Sequence, residues 1–306
     1  MSKSENFAGF NLTSSKLQVV EIAVVDNQVE LVNVDEAFLN EEINFENDKI
    51  SKIGALLQSA YEELQLNSNL NPKFVSFCLP IELFSIVQLP LDERLSYPEA
   101  IEDFRFQFSI LFPYKNNLTI KYYSVEPNAL NKDLSAVVFG VENSFLELID
   151  NFAKNNGLKL FYVDNAHTAS NLALINSNSV LCKGYYLSIF IQKKIISYNL
   201  SFNQKILRMK SFTYNRIGDL PELLNSEFEQ EIFSKINSES LSASFISGDE
   251  ISPSLVSLLR KSLNIDFILF NPFDKLKTRS ELFENKFFLK KYNSFSSALG
   301  MALRLN

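Results

Sequence analysis

Gly9-Phe10-Asn11-Leu12-Thr13-Ser14-Ser15-Lys16-Leu17-Gln18-Val19-Val20-Glu21-Ile22 reads as a strand, a tight polar turn and a second strand. Apolar side chains fill both arms and residues 13–16 are polar, the pattern of a β-hairpin. The hairpin has the outline of a phosphate-binding loop without its chemistry. A triphosphate cradle needs backbone N–H groups turned inward, easiest where glycine supplies positive φ, and a carboxylate nearby to hold Mg²⁺ or its waters. This chain offers Asn11 and Thr13 instead.

The stretch resembles the opening of the actin-like superfamily and, within it, of the type IV pilus assembly PilM family. Chains of that family begin Gly-Ile-Asp-Ile-Gly, followed by serines, a lysine and Val-Val-Glu-Leu. Gly9, Ser14, Ser15, Val19, Val20 and Glu21 fit that line. Asn11 stands where the family has its metal-side aspartate, Thr13 where it has its second glycine, and Gln18 where it has lysine. Further landmarks follow in order: Leu79-Pro80, Val87-Gln88-Leu89-Pro90, Phe112-Pro113, Gly157-Leu158, Val163-Asp164, Asn271-Pro272-Phe273 and Ala298-Leu299-Gly300-Met301-Ala302-Leu303-Arg304.

The resemblance implies an α/β protein of actin-like fold, two ribonuclease-H-like halves around a cleft. Residues 1–170 would form the first domain, with 80–165 inserted as a compact subdomain of the type called 1C. Residues 171–292 would form the second, and a closing helix within 293–306 would return to the first. Periodicity supplies the elements: strands at 7–12, 17–25, 29–34 and 74–79, and a helix over 49–66 with Asp48 as N-cap. Inside the insertion, Ser96 and Pro98 open a helix with Ile101, Phe104, Phe108 and Leu111 on one stripe. Helices at 143–156, 166–176, 219–237 and 253–263 and a strand at 265–270 complete the outline. A second, weaker hairpin begins at Val180 and continues through Cys182, Lys183 and Gly184 into Leu187–Ile191, Lys193-Lys194 and Ile195–Leu200.

At 306 residues the chain is long enough for two ordinary domains, and 46% hydrophobic with 21% charged residues marks it as folded. A net charge of −7 argues against nucleic acid, whose binding needs a basic face. Lys275, Lys277, Arg279, Lys286, Lys290 and Lys291 form the one local basic excess, read as a solvated surface. The first residues carry no apolar core of signal-peptide length, and no run approaches the ~18 apolar residues of a membrane span. Cys78 and Cys182 lie in apolar runs and are expected as buried, reduced thiols, which fits a cytoplasmic protein.

Three segments would have to build a nucleotide cleft, and each departs from the pattern. The first is Asn11, Thr13, Ser14 and Ser15. The second, which the family writes Asp-Ile-Gly, reads Cys182-Lys183-Gly184. The third, a glycine pair beside adenosine, reads Ser247-Gly248-Asp249-Glu250, and Asp249 adds negative charge where a polyanion would lie. The expectation is a degenerate site that binds no cofactor, ATP and Mg²⁺ included, and holds no metal. The single histidine, His167, is expected at a surface or helix terminus. Asp35-Glu36 and Glu41-Glu42 read as solvated loop charges, and no catalytic constellation stands out, so no enzyme is expected.

What the resemblance implies about role is a non-catalytic scaffold of a type IV pilus or related secretion machine. It would sit at the cytoplasmic face of the inner membrane and hold the cytoplasmic tail of a PilN-like membrane protein. The neighbourhood of Leu79, Pro80, Leu89, Pro90 and the 97–112 helix is where the resemblance puts the groove. The alternatives are an actin-like protein that still uses ATP and a cell-division tether of the FtsA type, which normally ends in an amphipathic membrane helix.

Overall fold

Alternating apolar residues carry β1 (Glu5–Leu12), β2 (Lys16–Val25) and β3 (Gln28–Phe38) into an antiparallel meander, with Gly9 opposite Val20 and Val20 opposite Val34. α1 (Ile50–Ser68) follows, and Ile53, Leu56, Leu57, Ala60, Tyr61 and Leu64 are its buried residues, as i, i+3, i+4 spacing requires. β4 (Phe74–Leu79) then pairs parallel with β1, Asn11 opposite Cys78. This computed structural model describes residues 5–26, 28–68, 70, 72–115, 117–236, 240–249 and 251–304. Asn237, Glu250, Leu305 and Asn306, all inside sequence-predicted features, lie outside the described residues.

The chain continues through β5 (Phe84–Pro90), α2 (Tyr97–Leu111), β6 (Leu118–Val125), β7 (Ser135–Glu142) and α3 (Asn143–Asn155). Next come β8 (Lys159–Asn165), α4 (Ala166–Ser177), β9 (Tyr185–Gln192), β10 (Ile195–Phe202) and β11 (Lys205–Thr213). The remainder is α5 (Leu220–Phe228), β12 (Leu241–Gly248), α6 (Pro253–Leu263), β13 (Phe267–Leu269), β14 (Lys277–Thr278), α7 (Lys286–Lys290) and α8 (Ser296–Leu303). These elements gather into two compact units.

The first unit comprises Met1–Leu83, Ser144–Ser177 and Asn271–Asn306. Its sheet runs β14-β3-β2-β1-β4-β8. α8 lies against β1 and α4 at backbone distance. A Cβ on Gly9 would stand 1.9 Å from Ala298 O, and one on Gly300 would stand 1.8 Å from Ala169 O. Glycine at both places lets the elements meet without a side chain between them.

The second unit comprises Phe84–Asn143 and Asn178–Phe270. Its five-stranded sheet runs β11-β10-β9-β12-β13. That order repeats β3-β2-β1-β4-β8: a meander whose first strand then takes two parallel neighbours in succession. The ribonuclease-H-like motif therefore occurs once in each unit. A smaller sheet, β5-β7-β6, has two apolar faces because β7 alternates. Ala136 and Val138 join Phe104 and Phe108 of α2 in one core, while Val137 and Phe139 join Leu187, Ile189 and Tyr198 in another.

This arrangement differs from a 80–165 insertion confined to the first domain. Residues 84–143 cluster with 178–270, held by Val137, Phe139 and Lys235 Nζ donating to Leu130 O at 3.0 Å. α3 and β8 belong to the first unit, β8 pairing parallel with β4. β7 passes into α3 with no intervening loop, so no turn residues mark the boundary in sequence. On α2, Phe104 and Phe108 are buried as predicted, but Leu111 is exposed.

Candidate functional site

The turn between β1 and β2 is closed from within by Thr13. Its Oγ1 accepts the N–H groups of Ser15 at 3.3 Å and Lys16 at 3.0 Å, and its own N–H donates to Lys16 O at 2.9 Å. The carbonyls of Ser14 and Ser15 face the other way and accept from Ile43 and Leu39. A side-chain oxygen thus takes two N–H groups that a phosphate cradle would present to its ligand, the local competition for which threonine is suited.

Behind the turn lies a buried chain of polar groups. Asn11 Nδ2 donates to Gln18 Oε1 at 2.8 Å, while Asn11 Oδ1 accepts from Cys78 Sγ at 3.2 Å. Gln18 Nε2 donates to Glu36 Oε2 and to Ser294 Oγ, each at 3.1 Å. Glu36, its side chain wholly buried, holds Lys16 Nζ and Lys291 Nζ at 3.0 Å each. Burial works against the Glu36 carboxylate, but the two ammonium groups outweigh it and keep its pKa below the ordinary value. The reading of Asp35-Glu36 as solvated loop charges is therefore corrected for Glu36. It lies on β3, whose alternation turns it inward.

At the end of β8, opposite Cys78, Asp164 Oδ1 accepts Asn165 N–H and Thr168 Oγ1, each at 2.8 Å, and Oδ2 pairs with Arg304. Asn165 Oδ1 caps α4 by accepting His167 N–H at 2.9 Å. His167 is at the helix terminus as expected, but it is buried, and burial pulls its pKa down to about 3. Cys78 and Cys182 are both free and buried; burial pushes the Cys182 thiol up to about 12. Neither thiol is a nucleophile at neutral pH.

The second unit redistributes the expected site. Because β9 corresponds to β1 in strand order, the counterpart of the first turn is Lys193-Lys194, between β9 and β10. Gly248, at the end of β12, pairs with Ile191 beside that turn, and Asp249 N–H donates to Ile191 O at 2.8 Å. Cys182 and Gly184 precede β9 at its opposite end, about 25 Å away at the rise of an extended strand. Ser247, Gly248 and Asp249 therefore sit together near Lys193 and Lys194, and Cys182 and Gly184 do not join them. Gly248 takes φ 113° and a Cβ there would meet Ile191 O at 2.1 Å, so its glycine serves strand packing.

Sequence reasoning missed Glu36, Lys291 and Ser294 because the contacts span more than 250 positions for the last two. The Lys193-Lys194 turn carried a readable signal, two polar residues between apolar runs, but the glycine of Gly184 drew the register upstream. Among the described residues, no three His, Cys, Asp or Glu side chains are grouped to hold a metal ion. No described helix is long and apolar enough to cross a membrane.

No protein-family model and no curated protein matches the chain. Solved structures do. A chain of the PilM-PilN type IV pilus biogenesis complex superposes with a TM-score of 0.73 at 17% identity, covering 97% of each chain. A Bacteroides thetaiotaomicron protein with an actin-like ATPase fold gives 0.55 at 14% identity, over 88% of this chain and 91% of that one. The ethanolamine utilization protein EutJ from Carboxydothermus hydrogenoformans gives 0.50 at 7% identity, over 97% and 89%. With the repeated strand order, these likenesses show that the chain has the actin-like fold. The resemblance to the PilM branch, read from scattered motifs, holds at the level of the fold.

Proposed function

We propose that this protein is a non-catalytic, actin-like component of a type IV pilus or related secretion machine, one that holds the cytoplasmic tail of a PilN-like inner-membrane protein. The observation that carries the first half is the Thr13-closed turn. A neutral amide, Asn11, engaged by Gln18 and Cys78, stands in place of a metal-side carboxylate, and the N–H groups of Ser15 and Lys16 are taken. These residues do not fit a magnesium triphosphate, whose transfer needs a positioned metal and a phosphate cradle. Support for the second half is the likeness to a chain of the PilM-PilN complex over nearly the whole length.

A tail needs an accessible apolar surface, and Leu79 and Leu89 do not provide one, since both are buried. On α2, Phe106 and Ile110 are one helical turn apart and 65% and 63% exposed, with Tyr97, Leu111 and Tyr114 also exposed. This face is where we place the tail, docked by its apolar side chains. Fluorescence anisotropy with a labelled peptide of the N-terminal tail of a PilN-like protein encoded beside this gene tests it. Saturable binding, lost in Phe106→Asp/Ile110→Asp at unchanged melting temperature, is the expected result. An absence of binding, or binding indifferent to both substitutions, refutes the docking face.

A further inference from the structure

One face of the first unit joins positive charge to bare aromatic surface, in a chain whose net charge is −7. Lys275, Lys277, Arg279, Lys286, Lys290 and Lys291 are all exposed, against Asp274, Glu281 and Glu284 in the same segment. Among them Phe283 and Leu289 are 58% and 52% exposed, and Phe38, at the end of β3, is 60% exposed. Some of these side chains touch aromatic rings. Lys291 Nζ stands 5.9 Å over the Phe38 ring, Lys286 Nζ stands 4.7 Å over Phe287, and the Phe283 ring lies 5.9 Å from Phe288.

The segment is anchored. Asn285 Nδ2 donates to Val34 O at 3.0 Å, Asn285 Oδ1 accepts the N–H groups of Phe287 and Phe288, and Phe287 is buried. Lys291 is engaged by Glu36, and Lys277 and Arg279 lie 3.7 Å from Glu30. Among the described residues, Lys275, Lys286 and Lys290 make no ion pair.

We propose that this face docks on an anionic lipid bilayer. Three lysines without an ion pair lie in this segment, and two of them, Lys286 and Lys290, stand one helical turn apart on α7 beside the exposed Leu289. They match a plane of headgroups, where lysines meet phosphates and Phe38, Phe283 and Leu289 enter the acyl boundary. Basic patches of this size bind weakly by themselves, and stable attachment takes a second signal. The proposed tail contact supplies one, but the lipid contact goes beyond that reading.

Cosedimentation of the purified chain with phosphatidylglycerol–phosphatidylcholine vesicles, and with phosphatidylcholine alone, tests this with no tail peptide present. The expected result is binding to the anionic vesicles only, falling with salt. Lys286→Ala/Lys290→Ala should weaken it about 25-fold, at about fivefold per basic residue. Phe283→Ser/Leu289→Ser should weaken it while leaving the salt dependence in place. All four side chains are exposed and none makes an ion pair among the described residues, so melting temperature and tail-peptide binding should not change. No preference for anionic vesicles overturns the proposal, as does full binding by either double variant. Equal binding to duplex DNA, lost in the lysine variant and kept in the serine variant, would assign the face to polyanions and overturn it too.

Discussion

Glu36 shows most clearly how a single residue changed meaning between sequence and structure. In sequence it is one of a pair of acidic residues after a short strand; in the fold it neutralises Lys16 from one side and Lys291 from the other. The second contact crosses 255 positions, and nothing local encodes it. Glu36→Gln removes the carboxylate charge that both Lys16 and Lys291 contact and is expected to cost about 3 kcal/mol in urea melts, the scale for breaking one side of a buried pair. The folded pKa of Glu36 is lowered, so its contribution is complete above the ordinary carboxylate value and disappears as pH falls through the lowered one. Wild type should therefore lose more stability than Glu36→Gln below about pH 4.5. His167 acts in a higher window. Its folded pKa, about 3, lies far below the 6.5 of an unburied imidazole, so the unfolded chain binds the extra proton and stability falls as pH drops below 6.5. Between pH 6.5 and 5 the loss should be about 2 kcal/mol, and His167→Asn should flatten that slope in the same melts. A slope unchanged by the substitution would assign the acid sensitivity elsewhere.

At the scale of elements, the sequence was legible wherever periodicity alone decides. β4 spans 74–79 as read, and α1, α4 and α6 begin within a residue or so of their predicted starts. Caps were less legible: Asp48 turns back to accept Asn44 N–H at 2.8 Å and to pair with Lys52, so α1 starts without it. The predicted helix at 219–237 runs as α5 continued without a break by a wider, i→i+5 turn over Glu229–Phe233, which apolar spacing does not distinguish. α8 shows an element whose sequence motif has a packing cause. The small residues of Ala298-Leu299-Gly300-Met301-Ala302 admit the backbones of β1 and α4, with Gly300 the tightest point. Gly300→Ala places a methyl group against the Ala169 carbonyl, so the two helices must separate. The expected cost is about 2 kcal/mol, with the loss seen in thermal melts. A melting temperature equal to wild type would mean that the α4 and α8 contact relaxes freely, contrary to the close packing described.

At the scale of the molecule, the duplication was only faintly readable, because β9 to β11 share strand order with β1 to β3 but almost no side chains. Once the order is matched, it moves the second turn to Lys193-Lys194 and removes Cys182 and Gly184 from the expected site, a register that one glycine had misdirected. The first hairpin was legible in the opposite sense: Asn11 and Thr13 already departed from a phosphate loop, and the fold shows those two residues hydrogen-bonded to protein partners. The central claim is that this actin-like fold has given up its nucleotide. Differential scanning calorimetry of the chain titrated with Mg-ATP tests that claim most directly, because a real site filled to 100 times its dissociation constant adds about 2.7 kcal/mol of stability. The account predicts no shift in melting temperature at millimolar Mg-ATP. A saturable rise of several degrees would contradict it.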